Sequence, residues 1–137
     1  VTTAAIILAA LTLVLALVCL AVGALGTTRR LPRNRWIGVR SAETMRNDDA
    51  FVTANRVAGP GVICAGAILA MGAVLAFALG DGAGVIVAVS AIVVGVGIAG
   101  VIGSLGIRAA AAVPEPASDC GQSGGCASCS LQGACTS

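Results

Sequence analysis

Three long apolar runs, separated by one polar segment and one abrupt turn, organise the chain. The first, Ala4 to Leu25, reads AAIILAALTLVLALVCLAVGAL and carries no charge. The second runs from Val57 to Gly80 and stops at Asp81. The third runs from Gly82 to Ile107, with its membrane part near Gly84 to Ile107, and stops at Arg108. Apolar and polar residues do not alternate in any of them, which speaks against half-buried strands. A helix rises about 1.5 Å per residue, so about 20 residues cross a hydrocarbon core of about 30 Å. Each run is long enough, and open sheet edges are not tolerated in lipid. The first run has no basic flank ahead of it and exceeds the apolar core of a signal peptide, so it reads as a retained span. The pattern therefore predicts an all-α integral membrane protein with three transmembrane helices. Helix 1 occupies 1–26, and a loop over 27–56 carries a short helix leading into span 2. Helix 2 takes 57–80, helix 3 takes 84–107, and a Pro-hinged tail covers 108–137.

Composition strengthens this picture and removes several functions. Charged residues are 10% of the chain and hydrophobic residues 58%, whereas a soluble domain carries about 25% charged residues. There is no histidine and no lysine. Histidine bases, histidine metal ligands, Ser-His-Asp systems, Schiff bases and P-loop lysines are all excluded. No ionisable residue sits in the middle of a span, which argues against a pump or a transporter acting alone. Cys19 and Cys64 lie within spans and read as small buried hydrophobes. A non-enzymatic role is expected.

Charge distribution sets the expected direction. Seven of the eight arginines lie between Thr27 and Arg56. Positive loops near span ends stay in the cytoplasm. The N-terminus is then outside, Asp81 marks an outer turn, and the cysteine-rich tail is cytoplasmic. Within the loop, Pro32 stops the first helix, and Trp36 and Ile37 form an apolar foot suited to the membrane interface. Asn47 or Asp48 caps a new helix, with Asp48 and Asp49 complementing its dipole. Phe51, Asn55 and Ala58 share a face of that helix, while Arg56 points elsewhere. Two uses of the loop stand open. One is topology control with lipid anchoring. The other is a polar site in which Asn34, Arg35, Arg40, Arg46, Asn55 and Arg56 converge on Glu43, Asp48 and Asp49.

The stretch NRWIGVRSAETMRNDDAFVTANRVAG resembles the signature of the SdpI family of small bacterial membrane proteins. Its matching positions are Asn34, Ile37, Gly38, Arg40, Thr44, Phe51, Ala54, Asn55 and Arg56, with a glycine at Gly59. The family usually has Trp where Phe51 stands. The resemblance covers Asn34 to about Leu79. It implies toxin immunity or signalling, in some members by holding a repressor at the membrane, and thus binding rather than catalysis. The interaction residues on this reading are Asn34, Arg35, Trp36, Gly38, Arg40, Thr44, Phe51, Asn55 and Arg56.

Small residues mark the expected helix contacts, because lipid gives no hydrophobic drive between helices and close backbone approach must hold them. Gly72, Ala76 and Gly80 form a stripe on span 2. Ala91, Gly95, Ala99 and Gly103 recur at four-residue spacing on span 3. The short turn at Leu79–Gly82 makes spans 2 and 3 a tight antiparallel hairpin. Three such spans are expected to leave little room for a deep pocket.

After Pro114 and Pro116 the composition changes. Cys120, Cys126, Cys129 and Cys135 give C-x5-C-x2-C-x5-C, the ligand count for tetrahedral zinc or an iron–sulfur centre. Disulfides and a tail with no bound species are the alternatives. No cofactor is fixed by this pattern. The function expected is that of a small accessory or interaction subunit in a larger complex of the bacterial plasma membrane, a respiratory-chain assembly being one host. The alternatives are SdpI-like immunity or signalling through the loop, and metal or thiol redox chemistry on the tail. Expected partners are a larger membrane complex and anionic lipid headgroups, with no nucleic acid.

Overall fold

Alanine and glycine fill most of the interior, and most of the large aliphatic residues face outward. Ala9, Ala16, Ala65, Ala73 and Ala88 are fully buried, whereas Leu11, Leu17, Val74 and Ile86 are exposed. That distribution would expose a large apolar surface to water, and it suits a lipid solvent. The computed structural model describes residues 3–115. Among them are three helices and no strand: α1 (Thr3–Thr27), α2 (Asp48–Leu79) and α3 (Asp81–Ala111). Each is long and apolar enough to cross a membrane.

Local chemistry sets each boundary. The α1 terminus is a Schellman turn: the Arg29 N–H donates to Gly26 O at 3.2 Å and the Arg30 N–H to Leu25 O at 3.0 Å. Arg29 takes the left-handed conformation this turn needs, with φ of 58°. The helix thus ends before Pro32, which was expected to stop it. At the start of α2, Asn47 is the cap, and its Oδ1 accepts from the Ala50 N–H at 2.7 Å. Asp48 and Asp49 occupy the first turn, where the helix dipole favours negative charge. The helix then runs without a break through Pro60 to Leu79, so the expected lead-in helix and span 2 are one element. Pro60 contributes no N–H, a loss that spanning helices tolerate within a bundle.

Gly80 alone joins α2 to α3. Its φ of 59° with ψ of −167° is open only to glycine. Its N–H donates to Ala76 O at 3.1 Å, and its carbonyl accepts from the Gly84 N–H at 2.7 Å. Gly80 therefore makes the turn itself rather than extending the stripe of Gly72 and Ala76.

The central element is α2, which packs along both neighbours. Against α1, a Cβ placed on Gly26 would lie 2.7 Å from Asn55 O, and one on Gly23 would lie 3.0 Å from Gly59 O. This contact is absent from the hairpin inferred above. Against α3, Gly72 meets Ala91 and Gly95 faces Leu69, while a Cβ placed on Gly84 would lie 2.6 Å from Ala76 O and one on Gly106 2.8 Å from Ala54 O. The expected α3 stripe holds only in its first half. Ala91 and Gly95 are buried, but Ala99 and Gly103 are half-exposed, and a Cβ on Gly103 meets nothing within 4 Å. The cause is helical drift. Four residues turn about 40° past a full revolution, so a constant four-residue stripe winds off a straight partner. Ile102 and Gly106, at mixed spacing, take over the contact. Cys19 is half-buried as a small hydrophobe would be, but Cys64 is exposed on the lipid-facing side.

Two glycines on α3 differ in what surrounds them. Gly84→Leu drives a side chain into the α2 backbone and is expected to destabilise the fold by about 1–3 kcal/mol. Gly97→Ala points into open space and is expected to stabilise by up to about 1 kcal/mol through helix propensity. Thermal unfolding in detergent, followed by circular dichroism, measures both.

Candidate functional site

The loop between α1 and α2 is built on one buried amide. Asn55 is 4% exposed, its Oδ1 accepts from the Val39 N–H at 2.8 Å, and its Nδ2 donates to Phe51 O at 2.9 Å. Gly38 lies directly against it: a Cβ there would come 2.5 Å from Asn55 Oδ1, and its φ of 104° disfavours any side chain. Phe51, fully buried one turn earlier, shares this face, as does Ala58. The loop is thereby pinned to α2, and α1 is pinned beside it through Gly26.

Two further turns shape the loop. Asn34 Oδ1 accepts from the Trp36 N–H at 2.9 Å and the Ile37 N–H at 2.7 Å, and its Nδ2 donates to Pro32 O at 2.8 Å. Thr44 is fully buried; its hydroxyl accepts from the Ser41 N–H at 2.7 Å, and its own N–H donates to Ser41 Oγ at 3.2 Å. These are local side-chain-to-backbone bonds of the kind that fix turns. Asn34, Gly38, Thr44, Phe51 and Asn55 are thus spent inside the loop.

The arginines divide into two groups. Arg33 pairs with Asp48 at 2.8 Å across an exposed surface and donates to Met45 O at 3.1 Å. Arg46 reaches the end of α3, donating to Val113 O and, at 3.4 Å, to Ala110 O. It also lies 3.8 Å from Glu43 and 3.6 Å from Glu115. A cation on these terminal carbonyls complements the α3 dipole. Of the convergence expected of Asn34, Arg35, Arg40, Arg46, Asn55 and Arg56 on Glu43, Asp48 and Asp49, the Arg46–Glu43 contact alone forms among the described residues. Its asparagines bind backbone, and Arg33, outside that set, takes Asp48. Arg35, Arg40 and Arg56 remain outward, without a carboxylate partner among the described residues. Arg35 lies over the Trp36 ring at 5.9 Å, and Trp36 is 83% exposed.

Beneath this surface lies a cleft of about 540 Å³, contrary to the expectation of little interior room. Far from the loop, α1 and α3 meet α2 on Ala9, Ala76 and Ala88. Toward the loop they part. Val18, Cys19 and Val22 of α1 face Ala99, Gly100, Gly103 and Ile107 of α3 across the gap, with Val62 of α2 as its floor and Trp36 to Arg40 at its mouth. Its polar lining is Arg40, Ser104, Cys19 and the already bonded Asn55. None of these is arranged as a nucleophile beside a base. The site is chemically equipped to bind.

A model of the SdpI/YfhL protein family matches residues 30–108. The chain belongs to this family. The matched region takes in all but the first residues of the loop, α2 and nearly all of α3, and hence the mouth of the cleft and two of its walls. The α1 wall lies outside it. No curated protein and no solved structure matches the chain. Of the positions that carry the resemblance, Asn34, Gly38, Thr44, Phe51 and Asn55 build the loop, and Arg40 and Arg56 are outward charges. Val18, Val22 and Gly100 carry no sequence signal for a cleft, because a valine in a span reads as lipid contact and a glycine as a helix contact. Among the described residues no group of three metal-binding side chains comes together. The candidate ligands Cys120, Cys126, Cys129 and Cys135 lie outside those residues.

If Asn55 holds the loop, Asn55→Ala leaves the Val39 amide unsatisfied and costs about 1–3 kcal/mol. Trypsin should then cut at Arg35 and Arg40 much faster, whereas Arg33→Gln, which removes an exposed ion pair worth about 0–1 kcal/mol, should change cleavage little. Timed digestion of vesicle-reconstituted protein measures the contrast.

Proposed function

We propose that this SdpI/YfhL protein is a non-catalytic interaction subunit of the bacterial plasma membrane, with a protein partner docked on its arginine-rich loop. The observation that carries this reading is the division of labour within the loop. The asparagines, Thr44 and Phe51 make it rigid, and Arg35, Trp36, Arg40 and Arg56 are what it presents. A preorganised surface loses less conformational entropy on binding. Exposed tryptophan and arginine are the side chains most enriched in binding hot spots. The absence of histidine and lysine from the chain supports binding over group transfer.

The charge of the loop favours a cytoplasmic position, with the N-terminus outside. A cytoplasmic loop reaches either the inner face of a larger membrane assembly or a soluble regulator. The first makes the chain an accessory subunit, and a respiratory complex is one host of that kind. The second corresponds to the immunity or signalling roles implied by the family resemblance.

Purification from the native membrane in mild detergent, followed by mass spectrometry, decides between these partners. Large membrane subunits at stoichiometric amounts are expected for the accessory role, and a soluble regulator or toxin for the signalling role. In either case the double change Arg35→Glu and Arg56→Glu should remove most of the partner while the helical spectrum stays unchanged. A protein that migrates alone, or that keeps its partner after the charge reversal, contradicts the proposal.

A further inference from the structure

We propose that the cleft between α1 and α3 binds one anionic phospholipid, with an acyl chain between the helices and the headgroup phosphate at Arg40. This does not rest on the partner reading above, since lipid preference is measured without any other protein.

The size fits. About 540 Å³ falls within the range of about 300–1,000 Å³ typical of ligand sites. The height fits as well. The α3 wall from Ala99 to Ile107 rises about 12 Å, close to the half-thickness of about 15 Å for one leaflet's hydrocarbon. The wall has room, since a Cβ on Gly100 or Gly103 would meet nothing within 4 Å. The remaining walls are mainly aliphatic, so water gains few hydrogen bonds there and a hydrocarbon chain loses none.

The mouth supplies the charge. Arg40 is exposed at the rim and has no ion-pair partner among the described residues, unlike Arg33 and Arg46. Arg35 lies nearby over Trp36. A guanidinium matches a phosphate with paired hydrogen bonds. An unpaired cation at the mouth favours a headgroup with net negative charge over one that carries its own ammonium. A transmembrane helix from another protein is a poorer occupant. Such a helix is about 10–12 Å wide with its side chains. The cleft is crossed at one end by residues 36–40 and closed toward the other, where Ala9, Ala76 and Ala88 meet.

Trp36 is the only tryptophan in the chain and lines the cleft, so its fluorescence reads the occupant directly. The full chain is reconstituted in phosphatidylcholine vesicles with a minor fraction of phosphatidylglycerol, and bromine is placed on the acyl chains of one lipid or the other. Brominated phosphatidylglycerol is expected to quench Trp36 about fivefold more than its mole fraction predicts, the preference one surface arginine gives an anionic lipid. Arg40→Gln should abolish that excess. Gly103→Leu, which fills the cleft and leaves Arg40 in place, should abolish it too; Gly100→Leu reads the same wall if the first variant does not fold. Quenching in proportion to mole fraction overturns the proposal. So does an excess that survives the cleft-filling variants, which would mean adsorption at the loop surface only. Trp36 shielded from both brominated lipids in a dimer would place a second copy in the cleft and also overturn it.

Discussion

The buried Asn55 amide is the interaction on which the rest of the molecule depends. It stands where α1, the loop and α2 meet, and it satisfies the Val39 N–H and the Phe51 carbonyl at once. A buried polar group left without a partner costs more than its bond is worth. The loop is therefore held to the helices by a penalty as much as by an attraction. Gly38 and Gly26 follow from the same constraint, because both backbones come too close to Asn55 to carry a side chain. What the loop presents, and where the cleft opens, are set by that one anchoring point.

A second constraint comes from lipid. Helices in a membrane associate through close packing rather than through escape from water. In this chain that packing runs along both sides of α2, with glycine and alanine at nearly every crossing. The two outer helices meet at the end away from the loop, on Ala9, Ala76 and Ala88. A central helix with two flanking partners produces a wedge between the flanks, and Trp36 to Arg40 lie across its open end. Arg46 closes the other side of the loop by holding the terminal carbonyls of α3. Loop and cleft are thus one structural unit, although their chemistry differs: charged above and aliphatic below.

The three helices were legible because hydropathy over 20 or so residues averages out local detail. Asn47 as a cap and Phe51, Asn55 and Ala58 as one face were legible because both depend on spacing within a few residues. The stripe of Ala91, Gly95, Ala99 and Gly103 misled at its far end, since four-residue spacing drifts around a helix. The ion pairs were not legible: with seven loop arginines, spacing alone does not choose Arg33 for Asp48 or Arg46 for the α3 terminus. The cleft was least legible of all. It arises from the relative placement of α1 and α3, which contacts between residues distant in the sequence, such as Gly66 with Leu20 and Gly106 with Ala54, determine.

Amide hydrogen exchange of the unmodified protein in lipid nanodiscs tests the account most directly. The Trp36, Ile37, Val39 and Ser41 amides each donate to a side-chain oxygen within the loop assembly. They are predicted to exchange far more slowly than in a free peptide of the same sequence. Exchange at the free-peptide rate throughout residues 30–46 would mean a solvated linker, and would contradict a loop built on Asn55.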